Sequence, residues 1–496
     1  MTNSFTALDC VVLLLYLAGT TTLGIFLGRG QRNTRDYFTA GRQIPWWAVL
    51  LSVVATETSA LTVISIPGLA YIGNLGFLQI AAGYIVGRTV VAFTLLPRYY
   101  NGELVTAYAL LEQRFGVATR RFASIIFMVT RAFADSVRVF ATAIPVALII
   151  GPMLPTRVVM PVAILTLGVL TLVYTYHGGV RAVVWTDVLQ TGVYLMGGLC
   201  AVYLLGTGVH GGWPAIFHSA AAAGKLQLTD TYVGFDRPHT LFAGLLGGAF
   251  LSMASHGADQ VIVQRLLASA TLKDARKALI GSGVVVFLQF ALFMMIGIGL
   301  WVHSSGKHFD SPDAIFPNFI ITAMPSGLVG LLIAAILAAT MSAHSGAINS
   351  LAASTLHDIY LPMTGRQADD PRSLKVAKWF TLMWGTVLLI AALLYRQQGT
   401  PVVVVALSIA SFTYGALLGG FFLGILWSRA IQRDALTGMA VGIVVMAIVV
   451  FAKSLSATIP ILTPISHVAW PWYVLIGTTV TVSVGILTSF THTRIS

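Results

Sequence analysis

Residues 52–68 read SVVATETSALTVISIPG, and this stretch decides how the rest of the chain is interpreted. It is apolar enough to lie in a bilayer, yet it is rich in hydroxyls, with the acidic Glu57 inside it and Pro67-Gly68 at its end. Proline lacks the backbone donor that a helix needs, and a break frees carbonyl oxygens inside the membrane. The pattern therefore predicts a broken membrane helix at which an ion or a solute can bind.

The composition of the whole chain agrees with a membrane protein. Of its 496 residues 57% are apolar and 9% are charged, whereas a soluble domain carries roughly 25% charged residues. Since each crossing needs about 20 apolar residues, the length allows roughly a dozen helices or slightly more and little else. This excludes a large appended catalytic or nucleic-acid-binding domain.

Apolar runs bounded by glycine, proline or basic residues predict the membrane helices. Each run is long enough to cross a hydrocarbon core, which gives about 13 helices. The runs lie at 7–28, 46–72, 77–97, 122–150, 158–176, 182–208, 240–263, 278–302, 326–357, 376–395, 401–427, 435–452 and 468–490. The outer loop between the eighth and ninth runs contains a shorter apolar stretch, 315–324, which we expect to cap the outer vestibule or to lie at the interface.

The distribution of basic residues predicts the orientation. With the N-terminus outside, the cytoplasmic loops hold 20 of the 29 Lys and Arg residues and the outer loops hold six. Because basic residues are retained on the cytoplasmic side, we expect an N-out, C-in multi-pass protein of the cell inner (plasma) membrane. Three arginines remain inside the runs: Arg88, Arg131 and Arg138.

Ionisable residues inside membrane helices are costly, and their default interpretation is functional. The sequence places Glu57, Asp135, Asp187, His256, Asp259 and His344 there, together with the arginines of the fourth run. Arg131, Asp135 and Arg138 are spaced by four and three residues and so share one helical face. Either a structural ladder of ion pairs or a ligand site explains this cluster. The single carboxylate of Asp135 neutralises only one of the two arginines, so one positive charge remains uncompensated within the cluster.

The ninth run carries a second polar patch. Ser342 and Ser345 share a helical face, and Asn349 continues it one turn later. Hydroxyl and carbonyl oxygens suit a hard cation. Ordinary packing of small residues explains the patch about equally well.

Five segments resemble the sodium/solute symporter family. Its signature is recognisable in GGVRAVVWTDVLQ at 178–190 and in GADQVIVQR at 257–265, and segments 55–68, 339–360 and 411–424 agree with it. The resemblance extends from the second run to the eleventh. It implies an all-α polytopic protein with a leucine-transporter-like core.

The same resemblance implies the domain organisation. Two inverted five-helix repeats would span 46–208 and 240–427, joined by an extracellular loop at 209–239. An extra N-terminal helix with its cytoplasmic loop would occupy 1–45, and two C-terminal helices 428–496.

The resemblance also implies a sodium site. Carried over by position, it would use backbone oxygens of Ala55, Thr58 and Ala339 and the hydroxyl of Ser342. The last ligand of the family is a Ser or Thr hydroxyl, but this chain has Ala343, which removes one of about five oxygens. Some members have a second sodium site, which gives Asp187 and Ser345 a ligand role; Asp187 could equally organise the site or, with His344, carry a proton.

The substrate pocket implied by the resemblance is polar. An Arg of the fourth helix would clamp a carboxylate, and Arg131 and Arg138 flank that position, with Asp135 between them. An aromatic gate found in sugar-transporting relatives is absent, which argues against a neutral sugar. The other positions that would contact substrate are Glu57, Ser59, Thr62, Gln79, Ser252, Ser255 and His256.

These observations predict sodium-coupled symport of a small organic acid (a monocarboxylate, a sugar acid or a sialic-acid-like solute) by alternating access. The alternatives are proton coupling in the same fold, a neutral sugar, polyol or amino acid as substrate, and a transporter-like sensor. No nucleophile–base pair or metal-ligand motif typical of an intramembrane enzyme is present in the sequence. We expect the partners to be the solute and the bilayer, with no nucleic acid, and a monomer to be sufficient for transport.

Overall fold

The helix predicted over 46–72 is two helices in the computed structural model. The model describes residues 5–27, 40–58, 60–101, 104, 106–176, 180–368, 370–396, 402–456 and 458–491. Helix α2 ends at Glu57, α3 begins at Ala60, and the axes of the two segments differ by 56°. Thr58 lies between them with φ −84° and ψ 61°, outside the helical region. Pro67 is tolerated inside α3, so the break lies ten residues before it.

The described residues are helical throughout apart from loops and one isolated bridge between Ile44 and Ser269. This confirms the predicted all-α class. In chain order the helices are α1 Ala7–Leu27, α2 Trp46–Glu57, α3 Ala60–Ile72, α4 Leu78–Thr94, α5 Leu96–Tyr100, α6 Ala109–Phe115, α7 Val117–Ile150, α8 Thr156–Thr175, α9 Val180–Gly208, α10 Gly212–Ala222, α11 Gly248–Gly257, α12 Gln260–Leu266, α13 Leu272–His303, α14 Ile315–Ala323, α15 Leu328–Ser354, α16 Leu361–Thr364, α17 Pro371–Leu394, α18 Val402–Leu426, α19 Gln432–Leu455 and α20 Trp472–Ser489.

A second interruption divides the run at 240–263. A π-helical turn, Ala243–Gly247, leads into α11, and α12 begins two residues after α11 ends. Asp259 starts α12 by accepting a hydrogen bond from the backbone N–H of Val261 at 2.8 Å. The carboxylate therefore caps one of the amides that a helix start leaves without a partner.

Helix α15 connects the broken helix to the rest of the bundle. It packs against both α2 and α3, and on its other sides against α1, α7 and α9. Asp9 of α1 accepts hydrogen bonds from the backbone N–H groups of Gly327 (2.6 Å) and Gly330 (2.9 Å) at the start of α15. The carboxylate thus caps α15, where its negative charge also complements the helix dipole.

The loop between α13 and α15 packs over α3. Its short helix α14 contacts α3. Asp313 accepts a hydrogen bond from the Ser65 hydroxyl at 2.5 Å and another from the backbone N–H of Val402 at 3.0 Å. The loop is therefore fixed both to α3, the second half of the broken helix, and to the start of α18.

Seven helices among the described residues are long and apolar enough to cross a membrane, and the bent pair α2–α3 makes eight. Each of the thirteen apolar runs contains a helix or a pair of helices. The chain is therefore a multi-pass membrane protein, and the number thirteen stays a prediction.

Glycines allow α4 to approach α11 closely, and they provide a test of this packing. A Cβ added at Gly87 would lie 2.2 Å from the backbone oxygen of Ala249, whereas one added at Gly192 of α9 would meet nothing within 4 Å. We expect Gly87→Ala to destabilise the protein by roughly 1–3 kcal/mol, because the contacted atom is backbone. Thermal unfolding in detergent should show a lower midpoint for Gly87→Ala and an unchanged one for Gly192→Ala. Equal midpoints would contradict the packing described here.

Candidate functional site

The break between α2 and α3 exposes backbone oxygens at the centre of the bundle. The Thr58 N–H still bonds the Val54 carbonyl at 2.7 Å, and its hydroxyl donates to Oε1 of Gln289 on α13 at 3.0 Å. The end of a helix leaves its last carbonyls without intrahelical partners, and the carbonyls at the end of α2 form the negative end of its dipole. This end of α2 therefore attracts cations.

The residues implied as sodium ligands lie on α2 and α15, which pack together. Ala55 and Thr58 are buried at the end of α2, and Ala343 is buried on α15. Ser345 is also fully buried on α15. The side chains of Ala339 and Ser342 lie outside the described residues. Both residues belong to helix α15, which packs against α2 and α3 on the two sides of the break.

Asp187 is held by an ion pair and a hydroxyl. Its Oδ2 accepts a 2.5 Å hydrogen bond from Ser52 of α2 and lies 3.6 Å from Nη2 of Arg265 on α12. The guanidinium also donates to the Ser52 hydroxyl at 3.1 Å, and it covers Gly346, where an added Cβ would lie 2.6 Å from Nη2. These contacts connect α2, α9, α12 and α15 around the Asp187 carboxylate.

A small cavity lies beside the break, between α2, α7, α11 and α18. Its volume is about 60 Å³, which is room for a few water molecules. Five of the sequence-predicted substrate residues line it: Glu57, Arg131, Arg138, Ser255 and His256. The remaining lining residues are Thr56, Tyr84, Leu251, Asp259, Ile262, Ala406, Leu407, Ala410 and Tyr414.

Two carboxylates hold Arg131. Its Nε lies 2.6 Å from Oδ2 of Asp135, and its Nη1 lies 3.1 Å from Oδ2 of Asp259. The same Asp259 oxygen accepts a hydrogen bond from the Tyr414 hydroxyl of α18. Arg131 therefore forms the centre of a compensated buried cluster that connects α7, α12 and α18.

Arg138 is held much less tightly. Its nearest carboxylate oxygen is Oδ1 of Asp135, at 3.6 Å from Nε, and its Nη1 donates to the Thr56 carbonyl at 3.5 Å. Both distances are at or beyond the limit of a good hydrogen bond. Its side chain is 18% exposed, against 7% for Arg131. Arg138 is therefore the cation that has donors available for a ligand.

A third ion pair closes the opposite side of the cavity. Glu57 forms a short contact with Arg88 of α4, whose side chain is fully buried, and Nη1 of Arg88 donates to the hydroxyl of Ser282 at 2.6 Å. Nε2 of His256 lies 3.6 Å from the Glu57 carboxylate. Glu57 is thus fixed at the end of α2 by a neighbouring helix.

The charges around the cavity balance. Three guanidinium groups, those of Arg88, Arg131 and Arg138, face three carboxylates in the described part of the site. The carboxylates are those of Glu57, Asp135 and Asp259. The positive surplus expected from the sequence is therefore compensated by residues of other helices. An anion that enters alone would make the site negative, and a cation that enters alone would make it positive.

Three predicted substrate residues lie away from this cavity. Gln79 donates to the backbone oxygens of Gly76 and His239, and lines an outer cavity of about 430 Å³. The Ser252 hydroxyl donates to the Tyr84 carbonyl at 3.1 Å, which ties α11 to α4. The Thr62 hydroxyl is 3.5 Å from the Glu57 carbonyl across the break. The predicted residue Ser59 lies outside the described residues.

Arg88, Asp259 and Tyr414 belong to the site in the structure but were not among the substrate or sodium positions predicted from the sequence. Arg88 stands in an apolar run, and a charge at such a position requires a carboxylate partner. This requirement could have indicated, from the sequence alone, that Arg88 forms an ion pair with Glu57. Asp259 stood out as an intramembrane acid, but its pairing with Arg131 depends on the distance between α7 and α12, which spacing along the chain does not encode. No signal in the sequence identified Tyr414.

Comparison with known proteins identifies the family. Residues 37–442 match the model of the Sodium:solute symporter family. The chain belongs to this family. It is 30% identical over 450 residues to the sodium/sialic acid symporter SiaT of Proteus mirabilis, covering 89% of each protein. It is 29% identical to the sodium/sialic acid symporter NanT of Aliivibrio fischeri, covering 98% of this chain and 94% of that one.

A solved structure of the same family agrees with the fold. A sodium-coupled sialic acid symporter in a substrate-bound outward-open state superposes with a TM-score of 0.86 at 28% identity, with 99% of each chain covered. This confirms the leucine-transporter-like architecture implied by the resemblance. As a sodium:solute symporter, the chain is a secondary transporter that takes up a small solute with sodium.

Proposed function

We propose that this symporter carries a small organic acid, with Arg138 as the clamp for the carboxylate and with sodium at the end of α2. Arg138 supports the first assignment because its donors face the cavity and are only weakly engaged. A guanidinium binds a carboxylate through two parallel hydrogen bonds. The relatives that transport sialic acid, itself an acid, support the same substrate class.

The charge balance is the observation that carries the proposal. A carboxylate solute and one sodium ion together leave the net charge of the site at zero, whereas either alone leaves one uncompensated charge in the membrane. Two unit charges about 8 Å apart interact by about 2 kcal/mol at an effective dielectric constant of about 20. A coupling free energy of about that size is within the usual range of 1–3 kcal/mol.

For the sodium site we propose backbone oxygens of Ala55, Thr58 and Ala339 with the hydroxyl of Ser342. Burial of Ala55 and Thr58 and the packing of α15 on α2 support this set. Ala343 contributes no side-chain oxygen, so a water molecule completes the coordination. Asp187 acts as an organiser through Ser52 and Arg265.

Ion pairing favours sodium over a proton as the coupling ion. Protonation of Glu57 would leave the buried guanidinium of Arg88 without its anion, and a broken buried pair costs about 3–5 kcal/mol. Asp187 accepts a 2.5 Å hydrogen bond from Ser52 and lies 3.6 Å from Nη2 of Arg265, so its carboxylate is also engaged. His344 supports the proton alternative, because it is buried and neither ring nitrogen has a hydrogen-bond partner among the described residues.

We further propose an inner (plasma) membrane location with the N-terminus outside, supported by the 20 to six distribution of basic residues. The two repeats at 46–208 and 240–427 would rock around the cavity to alternate its exposure. A monomer contains every residue that this mechanism uses.

Uptake of labelled carboxylates into proteoliposomes tests the coupling ion. We expect accumulation under an inward sodium gradient and none under a pH step alone. Ser342→Ala should lower the apparent sodium affinity at least tenfold because it removes a ligand oxygen. Ser354→Ala, a buried serine about three turns further along α15, is the matched control. Uptake that follows the pH step without sodium would establish the proton alternative.

The two arginines of α7 should respond differently to substitution. Arg138→Ala should lower carboxylate affinity roughly 100-fold with little loss of stability, because its ion pair is long. Arg131→Ala should lower the unfolding temperature, because it leaves Asp135 and Asp259 unpaired. Thermal unfolding with and without a carboxylate solute measures both effects, since a bound ligand raises the midpoint. A ligand-induced shift that survives in Arg138→Ala would overturn the clamp.

A further inference from the structure

His256 has one ring nitrogen engaged and one available. Its side chain is 2% exposed and lines the cavity. Nδ1 lies 2.8 Å from the Ser255 hydroxyl, and Nε2 has no hydrogen-bond partner among the described residues. The nearest acceptor to Nε2 is Oε2 of Glu57 at 3.6 Å, which is too long for a direct hydrogen bond. A buried polar atom with no partner among the described residues is a position at which a ligand or a water molecule can bind.

The negative charge of Glu57 favours one tautomer of His256. A lone pair on Nε2 would face the negative carboxylate of Glu57, whereas an Nε2–H group would be attracted by it. The tautomer with the proton on Nε2 is the one that this carboxylate favours, and in that tautomer Nδ1 accepts from the Ser255 hydroxyl at 2.8 Å. The cavity thus presents a donor from His256 beside an acceptor from Glu57.

We propose that Nε2 of His256 and the carboxylate of Glu57 together bind a hydroxyl group of the substrate. This inference rests on the proposed function, in which the solute is a carboxylate. The substrate is therefore a short hydroxy acid. Because Nε2 and Oε2 are 3.6 Å apart, one hydroxyl oxygen can lie about 2.8 Å from both atoms. The oxygen accepts from His256 and donates to Glu57. A water molecule satisfies the same two partners, and a substrate hydroxyl takes its place when the solute binds.

Competing groups fit the pair less well. An ammonium group has three donors and no lone pair for the Nε2–H. A methyl group leaves the buried Nε2–H of His256 without a partner. A site built to bond a substrate hydroxyl discriminates strongly against the analogue that lacks it. His256 and Glu57 are thus specificity-determining residues, distinct from the carboxylate clamp at Arg138.

The rest of the cavity fits a short carbon skeleton. Apolar side chains of α18, those of Ala406, Leu407 and Ala410, line its wall. The fully buried Arg88 holds Glu57 in place, so that the acceptor does not swing away. The volume of about 60 Å³ favours a skeleton of few carbons.

A matched series of four-carbon acids tests the inference. Affinities of the purified full chain for butanoate, for 2-, 3- and 4-hydroxybutanoate and for 2-aminobutanoate are measured by calorimetry in saturating sodium. We expect at least one hydroxybutanoate isomer to bind at least tenfold more tightly than both butanoate and 2-aminobutanoate. Equal affinities across the series, or a preference for the amine, would overturn the inference and leave the carboxylate site intact.

Substitutions show whether His256 provides the selectivity. His256→Phe should reduce the ratio of hydroxybutanoate to butanoate affinity to about one, whereas His256→Gln, which keeps a side-chain N–H donor, should retain part of it. His218→Phe changes an exposed histidine on α10 and should keep the wild-type ratio. A wild-type ratio in His256→Phe would contradict the role of the imidazole. If no acid in the series binds, the inference of a short substrate fails, and sodium-dependent binding of a larger acid such as sialic acid would leave the proposed function standing.

Discussion

The cluster of ion pairs around the break between α2 and α3 is the constraint on which the rest of the site depends. Within a membrane, an interrupted helix and a charged side chain are both stable only when other parts of the protein satisfy them. Here Glu57 at the break is paired with Arg88 of α4, and Arg138 reaches the Thr56 carbonyl. The break is therefore supported by charges on neighbouring helices, and those charges define the cavity beside it.

Charge balance is the feature of this arrangement that supports the proposed transport of a carboxylate together with sodium. The site is neutral when empty and would be neutral again with one sodium ion and one carboxylate. Each half-loaded state carries an unscreened charge at low dielectric, so the ion and the solute each raise the affinity for the other. A neutral solute would lack this coupling. The same balance keeps the carboxylates of the cluster engaged with guanidinium groups, which favours a metal cation over a proton as the coupling ion.

Much of the fold was predictable because a bilayer imposes length and hydropathy on each helix. The sequence indicated the break near Glu57 and the face shared by Arg131, Asp135 and Arg138. It could not distinguish the two arginines, because the difference lies in Asp259, which approaches Arg131 from another broken helix. Pro67 was the more conspicuous helix breaker, yet α3 continues through it, and the interruption occurs where polar side chains compensate the freed backbone.

Reciprocal linkage between sodium and solute tests the central claim most directly. Calorimetric titrations of sodium with and without a saturating carboxylate, and of the carboxylate with and without sodium, give two affinity ratios. The account predicts that both ratios are equal, between roughly 5-fold and 150-fold, and that the uncharged amide of the same acid gives a ratio near one. A sodium affinity that is the same with and without the carboxylate would contradict it.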